Sequence, residues 1–232
     1  MKNRLEFYIE KDPRLIKVNE LAKQEYLKAG KLAHNYNHAI WDTETTIKIY
    51  ENEKSTEVNP TILIASALMH DTGVSIGHYT YHAVNGSKII RREFPKLGFT
   101  DEETEKSALA VEQHNSLIHT FPESQYLYDA DTLNKAGIHG IQGYFLVAHE
   151  FGSSISKIAQ RAINNLPKGV EKGYYTKTAK EMDKSLGNEK YGGLELTLEF
   201  WRLFDKILKE GKIEENEAIN KAYQILGVGA LR

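Results

Sequence analysis

The residues in this chain best suited to chemistry are a histidine and an aspartate side by side, His70 and Asp71 in "ASALMHDTGVS". They close an apolar run, where an imidazole and a carboxylate lose their water and need a charged or hydrogen-bonding partner in exchange. On its own the pair has two readings: a hydrogen-bonded core histidine followed by a capping aspartate, or two ligands for a cation. Other residues of ligand type fall in similar settings. These are His38 in "HNYNHAIWD", His82 in "YTYHAVNGSKI", His114 in "AVEQHNSLI" and Asp131 in "YDADTLNKAG". Each has apolar or aromatic neighbours on at least one side. A bound cation offsets the desolvation of such groups. The chain has no cysteine, so the available donors are nitrogen and oxygen, a set suited to Fe, Mn, Zn, Co or Ni.

The elements that must position these residues read as helices. Proline is scarce, with 5 in the chain, and apolar residues recur at three and four rather than at two. Leu15, Val18, Leu21, Ala22, Tyr26 and Leu27 make one stripe; Ala39, Ile40, Thr43, Ile47 and Tyr50 make a second. "NPTILIASALMH" opens with Asn59 as an N-cap and Pro60 at the first helical position. It is apolar on every side, as befits a helix in the centre of a bundle. A helix through "YHAVNGSKIIRREF" is expected to stop before Pro95, and Thr100 with Glu103 has capping-box spacing. Further helices are expected over 124–135, 139–149, 153–165, 175–186, 192–210 and 214–226. The Lys- and Gly-rich stretch 167–193 reads as a solvated connection or a lid. No internal repeat, low-complexity segment or strand alternation stands out. The expected fold is all-α, with about ten helices in a single domain.

Composition sets outer bounds on function. Hydrophobic residues make up 41% of the 232 and charged residues 27%, enough for a sizeable core. A formal charge of −2 gives no general attraction for nucleic acid or an anionic membrane. The opening "MKNRLEFYIEKDPR" lacks the apolar stretch of a signal peptide, and no segment approaches the ~18 apolar residues of a membrane span. A cytoplasmic enzyme or binding protein is the expected class. Without cysteine, disulfides, thiolate nucleophiles and Cys-based zinc sites are excluded.

The order His, then His-Asp, then Asp on helices resembles the HD-domain superfamily of metal-dependent phosphohydrolases. His38, His70, Asp71 and Asp131 carry the resemblance. "HNYNH" looks like that superfamily's entry motif with the ligand as its last histidine, and "LMHDTG" like its His-Asp centre. "DADTLNKAGIHGI" is similar to the "DADRLDALGAIGI" type of segment. The likeness runs from about residue 30 to 145, with a C-terminal helical part over 150–232, and implies an HD-domain-like helical bundle.

Simple members of the superfamily hold one divalent ion on two histidines and two aspartates, and many place a Glu or Asp shortly after the HD pair as base. Here that stretch reads "HDTGVS", with no carboxylate. Two-metal members insert two further histidines, and His82 and His114 occupy that interval. Their surroundings are similar to the "LHGPVGA" and "WHT" segments of the superfamily's diadenosine tetraphosphate hydrolases. The arrangement this implies has Asp71 bridging two ions and orienting a shared hydroxide. His38, His70 and Asp131 complete one ion, while His82 and His114 hold the other. Two cations lower the pKa of water strongly, so such a hydroxide needs little help from a protein base. Bland readings stay open: His82 as a surface histidine, and His114 as an imidazole favoured by a helix C-terminus. Many two-metal members have a lysine three positions past the HD aspartate, where this chain has Val74.

Weaker candidates surround this set. His34 would share a face with His38 if the helix extended that far. Asn115 follows His114, and Lys157 and Arg161 sit four apart in "SSISKIAQRAI". His34 is a candidate support for the ligands or donor to phosphate, with an ordinary helix-start residue as the alternative. Asn115 is a candidate donor to a substrate oxygen. Lys157 and Arg161 read as a solvated pair, with phosphate binding as the alternative. His78, His119, His139 and His149 match nothing in the pattern. The resemblance implies a phosphohydrolase for a nucleotide or other small phosphate ester, with two divalent ions drawn from Fe, Mn, Co or Zn. The alternatives are a mixed-valent di-iron oxygenase on the same ligand set and a non-enzymatic helical binding module.

Overall fold

The computed structural model describes residues 4–77, 79–211 and 213–228. His78 lies outside them. The described residues form twelve α-helices and two short 3₁₀ turns and contain no strand. The chain divides into two compact units, Met1–Asp131 and Thr132–Arg232. No described helix is long and apolar enough to cross a membrane.

The first unit contains α1 (Arg4–Lys11), α2 (Pro13–Ala29), α3 (Tyr36–Glu53), α4 (Pro60–Met69), α5 (His82–Leu97), α6 (Asp101–Gln113) and most of α7 (Pro122–Asn134). The uniformly apolar α4 is its buried axis, with Leu63, Ala65, Ala67, Leu68 and Met69 at 0% exposure. Its start is set by Asn59, whose side chain accepts from the amides of Thr61 and Ile62 at 3.0 and 3.3 Å. That satisfies two of the donors that every helix N-terminus leaves open. Around α4 pack Leu15, Val18 and Tyr26 of α2, Ala39 and Ile47 of α3, Ile89, Ile90 and Phe94 of α5, and Val111 of α6. The capping box of α6 is present, Glu103 N–H donating to Thr100 Oγ1 and Thr100 N–H to the Glu103 carboxylate.

The second unit comprises α8 (Gly137–Glu150), α9 (Ile155–Lys172), α10 (Lys177–Leu186), α11 (Gly193–Gly211) and α12 (Glu215–Leu226). Phe200, Trp201 and Phe204 of α11 form an aromatic core with Tyr223 of α12, Ala159 and Ala162 of α9 and Ile141 of α8.

Three expectations need correction. The helix count is twelve rather than about ten, partly because α1 carries a short amphipathic turn too brief to read as a period. α5 does not stop before Pro95 but runs on to Leu97, ending at Gly98 in the left-handed region (φ 93°). Proline costs one backbone bond and crowds the preceding turn, yet Pro95 is exposed and lies in the last turn. Water can solvate the carbonyl it leaves open there. Likewise α9 continues through Pro167 to Lys172 rather than ending near 165, so the stretch from 167 begins as helix, while α10 falls where a helix over 175–186 is expected.

Candidate metal centre

Seven side chains of the first unit converge, and most come from helix ends. His38 lies in the first turn of α3, its amide held by the Asn35 cap at 3.0 Å. Asp42 follows one turn later on the same face. His70 directly follows α4, and Asp71 precedes the 3₁₀ turn Thr72–Ser75. His82 follows the 3₁₀ turn Tyr79–Tyr81 and opens α5. His114 directly follows α6, and Asp131 lies on α7. Asp42 and His70 are 0% exposed, and Asp71, His82, His114 and Asp131 are all buried. His38 is the most open of the seven, with 18% of its side chain exposed.

Three histidines are tethered in one manner. His70 Nδ1 donates to the Ala67 carbonyl at 2.8 Å, His82 Nδ1 to Tyr79 at 2.8 Å, and His114 Nδ1 to Val111 at 2.6 Å. A carbonyl can only accept, so Nδ1 carries the proton and Nε2 is left to face inward. The inward atoms crowd together in two groups. Nε2 of His38 and His70 are 3.3 Å apart, and Nε2 of His82 and His114 are 3.1 Å apart. Asp71 lies between the groups. Its Oδ2 is 3.2 Å from His38 and 3.4 Å from His70, while its Oδ1 is 3.1 Å from His82 and 3.4 Å from His114. Its backbone N–H donates to the buried Tyr26 hydroxyl at 3.2 Å.

Lone pairs and carboxylate oxygens at such spacings repel unless positive charge sits among them. Donors ~2.1 Å from one ion lie about 3.0 Å apart in an octahedral arrangement and about 3.4 Å apart in a tetrahedral one. The observed separations fall in and around that interval. Two clusters with metal-ligand geometry result, one of His38, Asp42, His70 and Asp131 and one of Asp71, His82 and His114. The residues present therefore fit divalent cations.

With no cation, protons must carry that charge. Burial opposes the His70 imidazolium, but Asp71, aided by Asp42 and Asp131, outweighs it and holds the group up at about 10. His38 and His82 are also raised against the cost of burial, chiefly by Asp42 and Asp71 for the former and by Asp71 for the latter. Burial works against the Asp71 carboxylate, yet His70 and the other imidazoles hold it well below the usual range. For His114 burial wins, and its pKa is lowered. Burial likewise raises Asp42.

The six sequence-derived ligand candidates are thus brought together, and the surface reading of His82 does not hold. The weaker candidates fare differently. His34 precedes α3 rather than extending it; its Nε2 lies 3.0 Å from the Tyr79 hydroxyl. Tyr79 in turn stacks on His82 with ring centres 4.8 Å apart, so His34 stands behind the donors. Asn115 is exposed. Lys157 and Arg161 are exposed on α9 of the second unit, opposite buried Ile158 and Ala162. His119 is buried, and His139 and His149 are exposed. Sequence reasoning missed Asp42 and Tyr79. For Asp42 the available signal was its four-residue spacing from His38 in "HAIWD".

Among protein families, the HD domain matches residues 27–187. The chain belongs to the HD domain family. Its HD pair is His70–Asp71. Two curated relatives, both bifunctional uridylyltransferase/uridylyl-removing enzymes from Bradyrhizobium strains BTAi1 and ORS 278, are 35% and 36% identical over 74 residues. That match covers 32% of this chain and 8% of either relative. A solved structure of similar fold is Bacillus subtilis YpgQ in complex with ADP, at TM-score 0.59 and 18% identity, covering 84% of this chain and 97% of YpgQ. Family, fold and the His/Asp clusters together mark a divalent-metal site of the kind found in the HD phosphohydrolases.

Proposed function

We propose that this HD protein is a two-metal phosphohydrolase acting on a nucleotide or another small phosphate ester. The observation that carries this reading is the placement of Asp71, whose two oxygens each face a separate histidine pair. That is the disposition of a carboxylate bridging two ions. Divalent ions held by these residues would supply Lewis acidity and lower the pKa of water near the substrate phosphorus. The chain's own part is to fix the donors. Asp71 holds the two groups in register, the Ala67, Tyr79 and Val111 carbonyls set the histidine tautomers, and Tyr26 positions the Asp71 backbone. No carboxylate follows in "HDTGVS" to act as base for an attacking water, a task that ions held by these residues would take over.

A nucleotide is the substrate class the relatives favour, since YpgQ was solved with ADP and the Bradyrhizobium enzymes remove uridylyl groups. His34, beside Tyr79, and Asn115, next to His114, are proposed as substrate contacts of a cytoplasmic enzyme. The test is a panel of nucleotides and phosphate esters with Mn²⁺ or Co²⁺, with dioxygen monitored in parallel. Release of phosphate or a nucleoside monophosphate from at least one nucleotide, with no oxygen consumed, is expected. Activity with iron alone, on no phosphate ester, and with dioxygen consumed would establish the oxygenase instead.

A further inference from the structure

We infer that Asp42 is an additional donor to the ion held by His38, His70 and Asp131, which makes the two metal positions unequal. The inference rests on the two-metal reading above and deepens it. Asp42 Oδ2 lies 3.2 Å from His38 Nε2 and 3.3 Å from His70 Nε2. Asp71 Oδ2 stands 3.2 and 3.4 Å from the same two nitrogens. The two carboxylates therefore bear the same relation to this histidine pair. A carboxylate that merely orients a ligating histidine sits on the ring nitrogen opposite the metal. For His70 that nitrogen is Nδ1, already bonded to the Ala67 carbonyl. Asp42 instead faces Nε2, the nitrogen turned toward the site. At 0% exposure on the inner face of α3, it is among the costliest places in the chain for a carboxylate without a nearby cation.

The consequence is a difference between the two positions. The first is framed by two imidazoles and three carboxylates, from Asp42, Asp71 and Asp131; the second by two imidazoles and the shared Asp71. Oxygen-rich, anionic surroundings favour hard cations and hold them tightly. The first position should therefore fill first and prefer Mn²⁺ over softer ions. The second, with fewer protein donors, keeps coordination places open for water and a phosphoryl oxygen.

The test is Mn²⁺ titration of the metal-stripped full chain by calorimetry, with bound metal counted by elemental analysis. Wild type should take up two ions in separable steps, and Asp42→Asn should weaken the tighter step at least tenfold while leaving the weaker one unchanged. Co²⁺-loaded Asp42→Asn should also show altered visible absorption, reporting a lost oxygen ligand. An unchanged tighter step and spectrum in Asp42→Asn, with two ions still bound, would overturn the Asp42 assignment alone. A wild-type protein that binds no ion would overturn the two-metal reading as well. If the variant cannot be purified folded, the Mn²⁺-soaked wild-type crystal structure decides: Asp42 Oδ2 within roughly 2.3 Å of the ion supports the assignment, and beyond roughly 3 Å it overturns it.

Discussion

Gly73 and His82 meet backbone to backbone, so closely that a Cβ on Gly73 would overlap the His82 carbonyl and the Gly86 amide. The 3₁₀ turn after the HD pair thus fixes the start of α5, and with it the reach of His82 into the site. Gly73→Ala should push α5 away at a cost of about 1–3 kcal/mol, typical of overpacking in a dense core. Thermal unfolding should shift down, and the position held by His82 and His114 should lose its ion before the other does. A variant with wild-type melting and metal content would show that α5 is positioned by something else.

The central ligands give the second expectation. Asp71→Ala and His70→Ala should each lower metal affinity by more than the roughly 10–100-fold seen for groups that only support ligands. Helix content by circular dichroism should stay near wild type. Asp71→Ala should be the worse of the two because it removes a donor from both groups. Full metal occupancy in Asp71→Ala would sink the bridging assignment.

Stoichiometry is separable from affinity. His82→Ala and His114→Ala should each reduce the count from two ions toward one, with His38, Asp42, His70 and Asp131 keeping theirs. Elemental analysis of protein purified with excess Mn²⁺ reads this directly. If both variants keep the wild-type count, the buried pair is structural.

Protonation supplies the fourth. His70 in the metal-free protein is raised to about 10, above the ordinary value near 6.5. Its contribution to stability is therefore complete below about 6.5 and is lost as pH climbs through 10. Asp71, held well below the usual carboxylate value, contributes above about 3.8 and loses that as pH falls through its folded pKa. Stripped protein should melt at progressively lower temperature from pH 6.5 to 10. Metal displaces the imidazole protons, so the stabilisation on adding Mn²⁺ should grow over the same range, with protons released on binding at pH 8. A melting difference between loaded and stripped protein that is flat across this range would count against His70 as a ligand.

How far the sequence alone reveals this molecule differs from residue to residue. The buried α4 was legible because Asn59, Pro60 and an unbroken apolar run leave few alternatives. His38, His70, Asp71, His82, His114 and Asp131 stood out because each is a polar residue set in an apolar context. Asp42 did not, since a single aspartate among Trp41, Thr43 and Glu44 looks like part of a solvated helix face. Only packing against α4 shows that this face points inward. Pro95 and Pro167 misled for a related reason: a proline's local cost is fixed by its ring, but whether a helix survives it depends on the surroundings. Lys157 and Arg161 stand out in the sequence only as charges, and their spacing carries no information on what they face.

The tethers of His70, His82 and His114 have an evolutionary consequence. Each histidine directly follows a helical segment and bonds the carbonyl three residues back. Each of these carbonyls belongs to the backbone just before its histidine, and a carbonyl has two lone pairs, so the acceptor that locks the ring exists before the histidine does. One codon change at such a position yields an imidazole already in the right tautomer and aimed away from its helix. In a bundle where several helix ends meet, imidazoles held this way can be added one at a time, each ring oriented by its own backbone rather than by its neighbours.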